Sequence, residues 1–444
     1  MDAMDQPLRV ETFESLDALR PLRAALRDLN LAARRPSPFQ TVEYFAVHTA
    51  HDELAKQGTR PLFLVAFEAE RPIGLLPMRR RPEPLLGVPR TRLELLTTHD
   101  TDGLGVIARA EDEERCAEAF AQHLFERTRG WTMLELRDQD SGSPLHRPPL
   151  DARRFYLRHE PSNPHATIDL RGGFEAWFRS LSQFRSTLGR AMRRLFAAGR
   201  VEFVACADRC GAPAMLELFL DLETRSGSGE RGVGIGRSPT RVAKFRALLG
   251  PEQQHEPLFH WLLLDGLPIA SMLSLQFANV AYQMEIVFDR AFAELGPGNV
   301  LFMLAVRDAV ARGARAYNLL ASSAYSRQRW NALVTETNVV QVYRRGSLHH
   351  QQAVMGEWRR RMFGGASATE ESAPDEDEGV ASTPAIDEEE RRAALERSAS
   401  VLATLHCKGV VMDRFDGEAL GSVFSLAPPS ERSLGAGASL RPAG

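Results

Sequence analysis

The sequence predicts an α+β protein made of two similar halves in tandem, followed by an acidic tail. Two stretches carry the evidence: "PLFLVAFEAERPIG" begins at Pro61 and "PLFHWLLLDGLPIA" begins at Pro257. Each opens with Pro-Leu-Phe, continues as an apolar strand, and returns to Pro-Ile after the same interval. Because the segments around both stretches also follow one order, we interpret the chain as an internal duplication.

The first half, residues 1–160, is assigned from apolar periodicity, which alternates in strands and recurs every three to four residues in helices. Its predicted elements are, in order, the strand "LRVETF", helices over residues 15–30 and 41–58, a hairpin of strands 62–68 and 72–80 that turns at "EAER", the strands "RLELLTT" and "GLGVIA", a helix over residues 112–129, and the strand "TMLELRD". The acidic residues at 111–114 are typical of a helix start.

The second half, residues 161–362, repeats this order behind an additional amphipathic helix. Its predicted elements are a helix over residues 174–198, the strand "RVEFVACAD", helices over residues 212–225 and 240–249, a hairpin of strands 258–264 and 268–277, the strand "VAYQMEIVFD", a helix over residues 300–312, and the strand "AYNLLAS". The Asp-Gly pair in "LDGL" is a strong signal for the hairpin turn. In both halves the last of these helices ends near Arg-Gly and a strand follows.

The composition is that of a folded protein with a charged tail. Apolar residues make up 43% and charged residues 25% of the 444 residues, which is ordinary for a globular chain. Residues 370–390 contain ten carboxylates and no Lys or Arg, which leaves a charge of +7 for the rest although the net charge is −3. We expect residues 363–444 to form a mostly disordered tail, with one possible helix over residues 388–405, because this segment has little apolar surface to bury.

The N-terminal residues lack the pattern of a signal peptide, and no stretch approaches the roughly 20 apolar residues of a membrane span. The four cysteines are too few and too scattered for a disulfide framework, and no spacing completes a metal site. We therefore expect a cytoplasmic protein without a membrane span and without a bound metal.

A glycine-rich turn distinguishes the two halves. In the second half, "GPGN" precedes the predicted helix, where Gly296 and Gly298 allow a ligand to approach the backbone and Asn299 is expected to cap the helix. The free N–H groups at a helix start bind phosphate well, and no carboxylate follows before Val306. The first half has four carboxylates at the equivalent place, residues 111–114, which would repel a diphosphate. We predict that the second half binds an anionic cofactor and that the first half is structural.

Four segments in order resemble a known family: "SLSQFRSTLGRAMRRLFAAGRVEF", "LLLDGLPIASMLSLQF", "AYQMEIVFDRAFAELGPGNVL" and "YNLLASSAYSRQRWN". They are similar to the C-terminal half of CelD/BcsL-type acyltransferases, which belong to the GNAT superfamily and are relatives of the FemAB transferases. The first half is similar to the N-terminal half of the same proteins, so the resemblance covers roughly residues 8–347. It implies two tandem GNAT-like domains, each a mixed, mostly antiparallel sheet flanked by helices.

The sequence departs from this family at three places. Ala293 stands where the superfamily's pyrophosphate loop usually has Gln or Arg, and Gly296 stands where the family typically has Ser. After the last strand, relatives often have Tyr-Lys, whereas this chain has Tyr325 followed by Ser326. The last departure removes a lysine from the expected site.

The resemblance implies that acetyl-CoA or another acyl-CoA is the co-substrate. Its diphosphate is expected on the backbone of Gly296, Gly298, Asn299 and Val300. Its pantetheine arm is expected to pair with the edge of the strand at Ile286, Val287 and Phe288, as an added strand would.

Glu285 and Tyr325 are the predicted catalytic residues. Alternation places Tyr282, Met284, Ile286 and Phe288 on one face of the strand and Glu285 on the other, where a carboxylate can accept a proton from an ammonium. Tyr325 follows the last strand, and a phenol stays protonated at pH 7 and can protonate a thiolate. The alternatives are a solvent-facing carboxylate and a tyrosine that only packs against the cofactor.

Four further residues are predicted to contact substrate: Arg185, Asn318, Arg329 and Trp330. Arg185 belongs to an arginine-rich face of the helix over residues 174–198, which also carries Arg179, Arg190, Arg193 and Arg194. Such a face is typical of a site for phosphate or an acidic polymer, or of an ordinary solvated helix surface.

We expect an acyl-CoA-dependent N-acyltransferase whose acceptor is a small-molecule amine or an amine linked to a glycan or lipid. One alternative is a FemAB-like transferase that uses aminoacyl-tRNA, and tRNA is expected as a partner only in that case. Another is a binding or assembly protein without catalysis. No DNA binding is expected, since aromatic and basic residues are not interleaved as in nucleic-acid sites. The sequence predicts no oligomeric state.

Overall fold

The computed structural model describes residues 8–51, 58–84, 90–97, 101, 103–227, 234–320, 322–363, 392–397, 399–400 and 412–415. Two eight-stranded sheets form the centre of the structure, and helices pack against both. The predicted α+β fold class is confirmed. Among the described residues, no helix is long and apolar enough to cross a membrane.

The elements are numbered in chain order. The strands are β1 (Arg9–Phe13), β2 (Arg60–Glu68), β3 (Arg71–Pro82), β4 (Thr91–Leu95), β5 (Ile107–Ala108), β6 (Met133–Asp140), β7 (Phe155–Pro161), β8 (His165–Asp169), β9 (Val201–Cys206), β10 (Glu256–Leu264), β11 (Leu267–Phe277), β12 (Val280–Phe288), β13 (Ala316–Asn318), β14 (Leu333–Thr335), β15 (Thr337–Arg344) and β16 (Met412–Phe415). The α-helices are α1 (Leu16–Leu19), α2 (Arg23–Leu31), α3 (Val42–Ala50), α4 (Glu113–Gln122), α5 (Gly173–Ser180), α6 (Gln183–Ala198), α7 (Ala212–Thr224), α8 (Pro239–Leu248), α9 (Pro297–Ala311), α10 (Ala324–Arg329) and α11 (Leu348–Phe363).

The two halves share one topology. The first sheet has the strand order β1-β2-β3-β4-β6-β15-β7, with β5 beside β3, and the second has the order β14-β8-β13-β12-β11-β10-β9-β16. In the first half β2, β3 and β4 are antiparallel, and β4 pairs in parallel with β6 across α4. In the second half β10, β11 and β12 are antiparallel, and β12 pairs in parallel with β13 across α9. The same connection in both halves supports the duplication.

The repeated Pro-Ile pair lies at a β-bulge in both hairpins. Leu263 lies opposite Pro268, but Leu262 lies opposite Ala270, so Ile269 is the additional residue. The first hairpin shifts register at the matching place, with Phe67 opposite Pro72 and Ala66 opposite Gly74. A bulge interrupts the ladder of hydrogen bonds, which is where a strand tolerates proline. The two predicted hairpins are confirmed, and both turns begin with a residue of positive φ, Ala69 and Asp265.

The chain returns to the first sheet near its end. Strand β15 pairs with β6 and β7, and Val340 and Val342 on β15 are fully buried in the core of the first half. Helix α11 then packs against β15. Residues 161–362 were assigned to the second half from the sequence, but residues 337–344 within that range form β15 and pair with strands of the first sheet.

Parts of the predicted tail are ordered against the second half. Residues 392–397 are helical, and Ala394 is buried in the second-half core. Strand β16 pairs with β9 at the edge of the second sheet. The helix expected over residues 388–405 is confirmed for residues 392–397, whereas β16 was not predicted. The acidic residues 370–390 lie outside the described part of the chain.

The helix predicted over residues 174–198 is instead two helices, α5 and α6. The break falls at Leu181 and Ser182, and Ser182 has a φ of 49°, which no helix interior adopts. The predicted apolar face is otherwise confirmed, since Phe178, Leu188 and Leu195 are fully buried.

Candidate active site

A gap opens where β12 and β13 separate. The two strands pair in parallel only from Val280 opposite Ala316 to Tyr282 opposite Asn318. Leu319, the residue after β13, donates its backbone N–H to the carbonyl of Ala166 on β8 at 2.8 Å. The chain therefore stays with β8 and leaves β12. In the described register, the remaining length of β12 through Phe288 therefore has no partner strand on this side. A free strand edge of this kind can pair with an extended ligand.

A bulge in β12 changes which side chains share a face. Leu273 lies opposite Glu285 and Ser274 lies opposite Gln283, so Met284 is an additional residue. The predicted face that grouped Tyr282 with Ile286 and Phe288 is therefore wrong. Tyr282 packs edge-on against Phe39 of the first half, with ring centroids 5.5 Å apart, whereas Ile286 and Phe288 pack on the second-half core.

Gly296, and not Asn299, occupies the cap position at the start of α9. Gly296 has a left-handed φ of 68°, and Pro297 is the first helical residue. This order agrees with the preference of proline for the first helical position, so the prediction of an Asn299 cap is wrong. The N–H groups of Gly298 and Asn299 belong to the first turn, which has no intrahelical acceptor for them and no acidic residue.

Gly298 allows the helix start to lie directly against the strand. A Cβ atom at this position would be 3.2 Å from the Phe288 ring. The close packing of the first turn against Phe288 therefore depends on glycine. Val300, predicted to bind cofactor, is fully buried in the core, and its backbone N–H donates to the Gly296 carbonyl at 3.4 Å. The structure therefore does not support a contact between Val300 and a cofactor.

Arginines of α6 lie beside this turn. A Cβ built on Gly296 would be 3.4 Å from the Ala191 Cβ and 4.0 Å from the Arg194 Nη2. Arg194 is exposed, so its guanidinium adds a positive charge next to the free N–H groups of α9. Arg185 lies in the first turn of α6 and is half-buried.

Asn299 and Arg329 connect the start of α9 to α10. Arg329 donates from Nη1 to the Asn299 Oδ1 at 2.8 Å, and its guanidinium lies 3.8 Å from the centroid of the Tyr325 ring. Tyr325 is 47% exposed, so its phenol is open to solvent. The structure thus brings together three of the predicted site residues.

Glu285 lies on the opposite face of β12 from Ile286 and forms an ion pair with Arg241 of α8. The side chain of Glu285 is 23% exposed and that of Arg241 is 11% exposed. Arg241 also lies over the Phe245 ring at 5.3 Å, which holds the guanidinium in place. Sequence reasoning missed Arg241, since nothing in the sequence places residue 241 opposite residue 285.

Trp330 and Asn318 have structural contacts. Trp330 is 6% exposed and packs between Phe302, Phe184 and Trp177, at centroid distances of 4.4, 5.0 and 6.0 Å. It lies in the core, so the predicted substrate contact through its side chain is not supported by its position. The Asn318 Oδ1 accepts the Leu320 N–H at 2.7 Å, which stabilises the turn where β13 leaves β12.

A buried ion pair that the sequence analysis missed fixes the end of β12. Arg225 and Asp289 pair with side chains that are 9% and 2% exposed. The Asp289 Oδ1 also accepts the Ala291 N–H at 3.0 Å, which starts the turn leading to Gly296. An aspartate directly after a strand is a capping signal, and it could have identified this turn from the sequence.

In the first half, the equivalent helix start is lined by carboxylates paired with arginines. Helix α4 begins at Glu113, which lies 3.3 Å from Arg34, and Asp140 pairs with Arg35. Burial raises the pKa of Glu113. These residues line a cavity of only about 50 Å³. The predicted carboxylate at this helix start is present, and its surroundings leave little room for a diphosphate.

A larger cavity, of about 730 Å³, lies between α2 and residues 251–254. Residues 251–254 lie just before β10. The first residue of β10, Glu256, lies opposite Gln276 of β11, and Gln276 pairs with Ala281 near the start of β12. The glycine-rich turn follows the other end of β12, roughly 25 Å away at about 3.3 Å per residue. This cavity is therefore separate from the candidate site.

Part of the second half is similar to a known protein family. Residues 182–328 match the acetyltransferase (GNAT) domain family. A comparison with curated protein sequences finds no match. Among solved structures, FemX is similar over 74% of this chain and 96% of its own, with a TM-score of 0.51 and 10% identity.

Two other solved structures have lower scores. The C-terminal DUF2156 domain of a lysylphosphatidylglycerol synthetase from Agrobacterium fabrum covers 76% of this chain and 95% of its own, with a TM-score of 0.44 and 12% identity. A tandem GNAT protein of clavulanic acid biosynthesis covers 76% and 99%, with a TM-score of 0.37 and 13% identity. The likeness to FemX, at 10% identity, concerns the fold alone.

The match over residues 182–328 includes the separating strands, the glycine-rich turn and the start of α9. Apart from Arg329, the candidate site therefore lies within a segment that matches the GNAT acetyltransferase domain.

Proposed function

We propose that the second half is an acyl-CoA-dependent N-acyltransferase of the GNAT type. The observation that carries the proposal is the start of α9. It combines a left-handed Gly296, a Gly298 that allows the first turn to pack closely against Phe288, and a first turn without carboxylates. Beside this turn lies the edge of β12 that is no longer paired with β13. An acyl-CoA offers a diphosphate for the helix start and an amide-bearing arm for the strand edge.

The residues present fit such a co-substrate. The N–H groups of Gly298 and Asn299 would bind the diphosphate, and the exposed Arg194 guanidinium would add a charge-assisted contact. The backbone of residues 286–288 would hold the pantetheine arm. When bound, acyl-CoA supplies the activated acyl group.

Glu285 and Tyr325 would carry the proton transfers. Glu285 would accept the proton that an ammonium must lose before its nitrogen can attack, and Arg241 would orient the carboxylate. The new C–N bond forms as the C–S bond breaks, and the phenol of Tyr325 would protonate the departing thiolate. The second proton lost by the attacking nitrogen would pass through solvent to the Tyr325 phenolate and restore the phenol. Arg329, stacked on the Tyr325 ring, would position the phenol relative to Asn299 at the helix start.

Titration calorimetry with acetyl-CoA and longer acyl-CoAs tests the proposal. We expect micromolar binding, which Gly298→Glu abolishes because it puts a side chain and a negative charge into the diphosphate space. Gly105→Glu is the matched control: it adds the same charge in the first half, where a Cβ would meet nothing within 4 Å. The absence of heat with every thioester would contradict the proposal.

A second candidate is a FemAB-like transferase that uses aminoacyl-tRNA, and the fold likeness to FemX favours it. In that case the 3′ end of the tRNA, and not acyl-CoA, would meet the arginines of α6. Gel shifts with charged tRNA, with CoA as competitor, separate the two functions. A chain that binds neither ligand supports the third alternative, a binding or assembly protein.

A further inference from the structure

Helix α11 exposes its large apolar side chains to solvent. Five of them are well exposed: Leu348 at 38%, Val354 at 42%, Met355 at 62%, Trp358 at 58% and Met362 at 62%. At 3.6 residues per turn, Leu348, Met355, Trp358 and Met362 fall within an arc of about 80°. We call these five residues the α11 stripe.

The side of α11 that faces the protein is small and polar. Ala353 and His349 are buried there, at 6% exposure each. The His349 Nδ1 lies 2.7 Å from the Thr132 hydroxyl, and the Tyr156 hydroxyl donates to Glu357 at 2.6 Å. A surface helix ordinarily turns its apolar side toward the core. Because polar contacts fix α11 in the reverse orientation, the α11 stripe is held outward by the fold.

Exposed arginines surround the stripe. Arg345 precedes α11 and donates its backbone N–H to the Arg154 carbonyl at 2.9 Å, which places Arg153 and Arg154 beside the helix. These three residues and Arg359 are exposed. Asp151 is the exposed carboxylate of the same loop, and Glu357 is held by Tyr156. The surface therefore combines a Trp- and Met-containing apolar stripe with a positive border.

We propose that the α11 stripe docks on a membrane surface that contains anionic lipids. An amphipathic helix with Trp, Leu and Met on one side and arginines at its border lies in the interface of such a membrane. A second copy of the chain fits less well, because a symmetric contact through the stripe would bring the same exposed arginines of both copies around one interface. The acidic residues 370–390 of the same chain match the arginines, but Val380 and Ile386 are their only large aliphatic residues and they include no aromatic residue to pack on Trp358. The proposal is independent of the acyltransferase function.

Trp358 provides a direct reporter. The other four tryptophans, Trp131, Trp177, Trp261 and Trp330, are 2–6% exposed, so Trp358 is the exposed one among all five in the sequence. With the full chain and vesicles of 70% phosphatidylcholine and 30% phosphatidylglycerol at low salt, we expect the tryptophan emission to shift to shorter wavelength. The shift should be absent with pure phosphatidylcholine vesicles and should weaken as salt rises, since salt screens the arginines.

Co-sedimentation with the same vesicles completes the test. Met355→Ser combined with Trp358→Ser should weaken binding at least about tenfold, because the buried apolar area is lost. Leu333→Ser is the matched control, since Leu333 is 61% exposed but lies on β14 in the second sheet. No emission shift and no sedimentation with anionic vesicles would overturn the proposal. Sedimentation velocity that shows a dimer, dissociated by Trp358→Ser, would also overturn it and assign the stripe to a second copy.

Discussion

At the residue scale, the proposed chemistry depends on two side chains with different surroundings. Glu285 is largely covered and paired with Arg241, whereas Tyr325 is half-exposed under the Arg329 guanidinium. A covered carboxylate is suited to act as a base, and a solvent-exposed phenol is suited to act as an acid.

Glu285→Gln and Tyr325→Phe test these roles. Each keeps the size of its side chain and removes the proton transfer, so we expect turnover to fall about a hundredfold while acetyl-CoA affinity stays within about twofold. Thiol release with an amine library measures turnover, and calorimetry measures affinity. Tyr156→Phe, in the first half, is the control. Full turnover in both variants would contradict the assigned roles.

The buried pair of Arg225 and Asp289 supports the site through stability. Arg225→Ala leaves the Asp289 carboxylate buried without this partner, so we expect a loss of about 3 kcal/mol or more in the free energy of unfolding. Arg246→Ala removes an exposed pair with Glu217, with side chains 56% and 57% exposed, and should cost less than about 1 kcal/mol. Urea denaturation measures both, and equal losses would contradict the structural role of the buried pair.

At the scale of elements, the starts of α4 and α9 differ in charge. The pH dependence of thermal stability tests this difference. Burial raises the pKa of Glu113 above its ordinary value of 4.5, so the folded protein disfavours the charged carboxylate. The contribution of Glu113 to the free energy of unfolding is therefore most favourable below pH 4.5, and it is lost as the pH rises through the raised pKa. Glu113→Gln should therefore raise Tm at pH 7 and change it little at pH 4.

Glu114→Gln is the matched control for this prediction. Glu114 is exposed in the same first turn, where a negative charge stabilises the helix dipole. We expect its substitution to lower Tm slightly at pH 7. Calorimetric scans at both pH values measure the two variants, and a lower Tm for Glu113→Gln at pH 7 would contradict the burial argument.

The sequence predicted elements best where local chemistry decides. The Asp265-Gly266 turn and the apolar alternation around it identified the second hairpin, and "GPGN" identified the start of α9 within three residues. The bulge at Met284 was missed because alternation assumes an uninterrupted ladder, and no local signal marks the additional residue. The Gly296 cap was missed because both glycine and asparagine are acceptable there.

At the scale of the whole molecule, the second half of the chain completes the first sheet. Strand β15 was not predicted from the sequence, and periodicity carries no information about the partners of a strand, which for β15 are about 200 residues away in the chain. The outward stripe of α11 is equally hidden, since a helical pattern does not say which side the fold covers. The burial of Trp330 could not be predicted either, since the sequence does not show which side of α10 the core covers.

The crossing of β15 predicts that the halves cannot be separated at residue 161. A fragment of residues 1–161 lacks β15, so β6 and β7 lose their common neighbour and expose their edges. We expect this fragment to aggregate or to lack a cooperative thermal transition by circular dichroism. The full chain is the control. A monomeric fragment with a cooperative transition would show that β15 is dispensable for the first half.

The central claim concerns the two halves of a duplicated fold. The second half has a site for an anionic acyl carrier at the start of α9, and the first half has carboxylates at the equivalent start of α4. Amide hydrogen exchange of the full chain, with and without acetyl-CoA, tests it most directly. We predict slower exchange at Gly298, Asn299 and residues 286–288, and no change over residues 107–114. Protection over residues 107–114, or none in either half at saturating acetyl-CoA, would contradict the account.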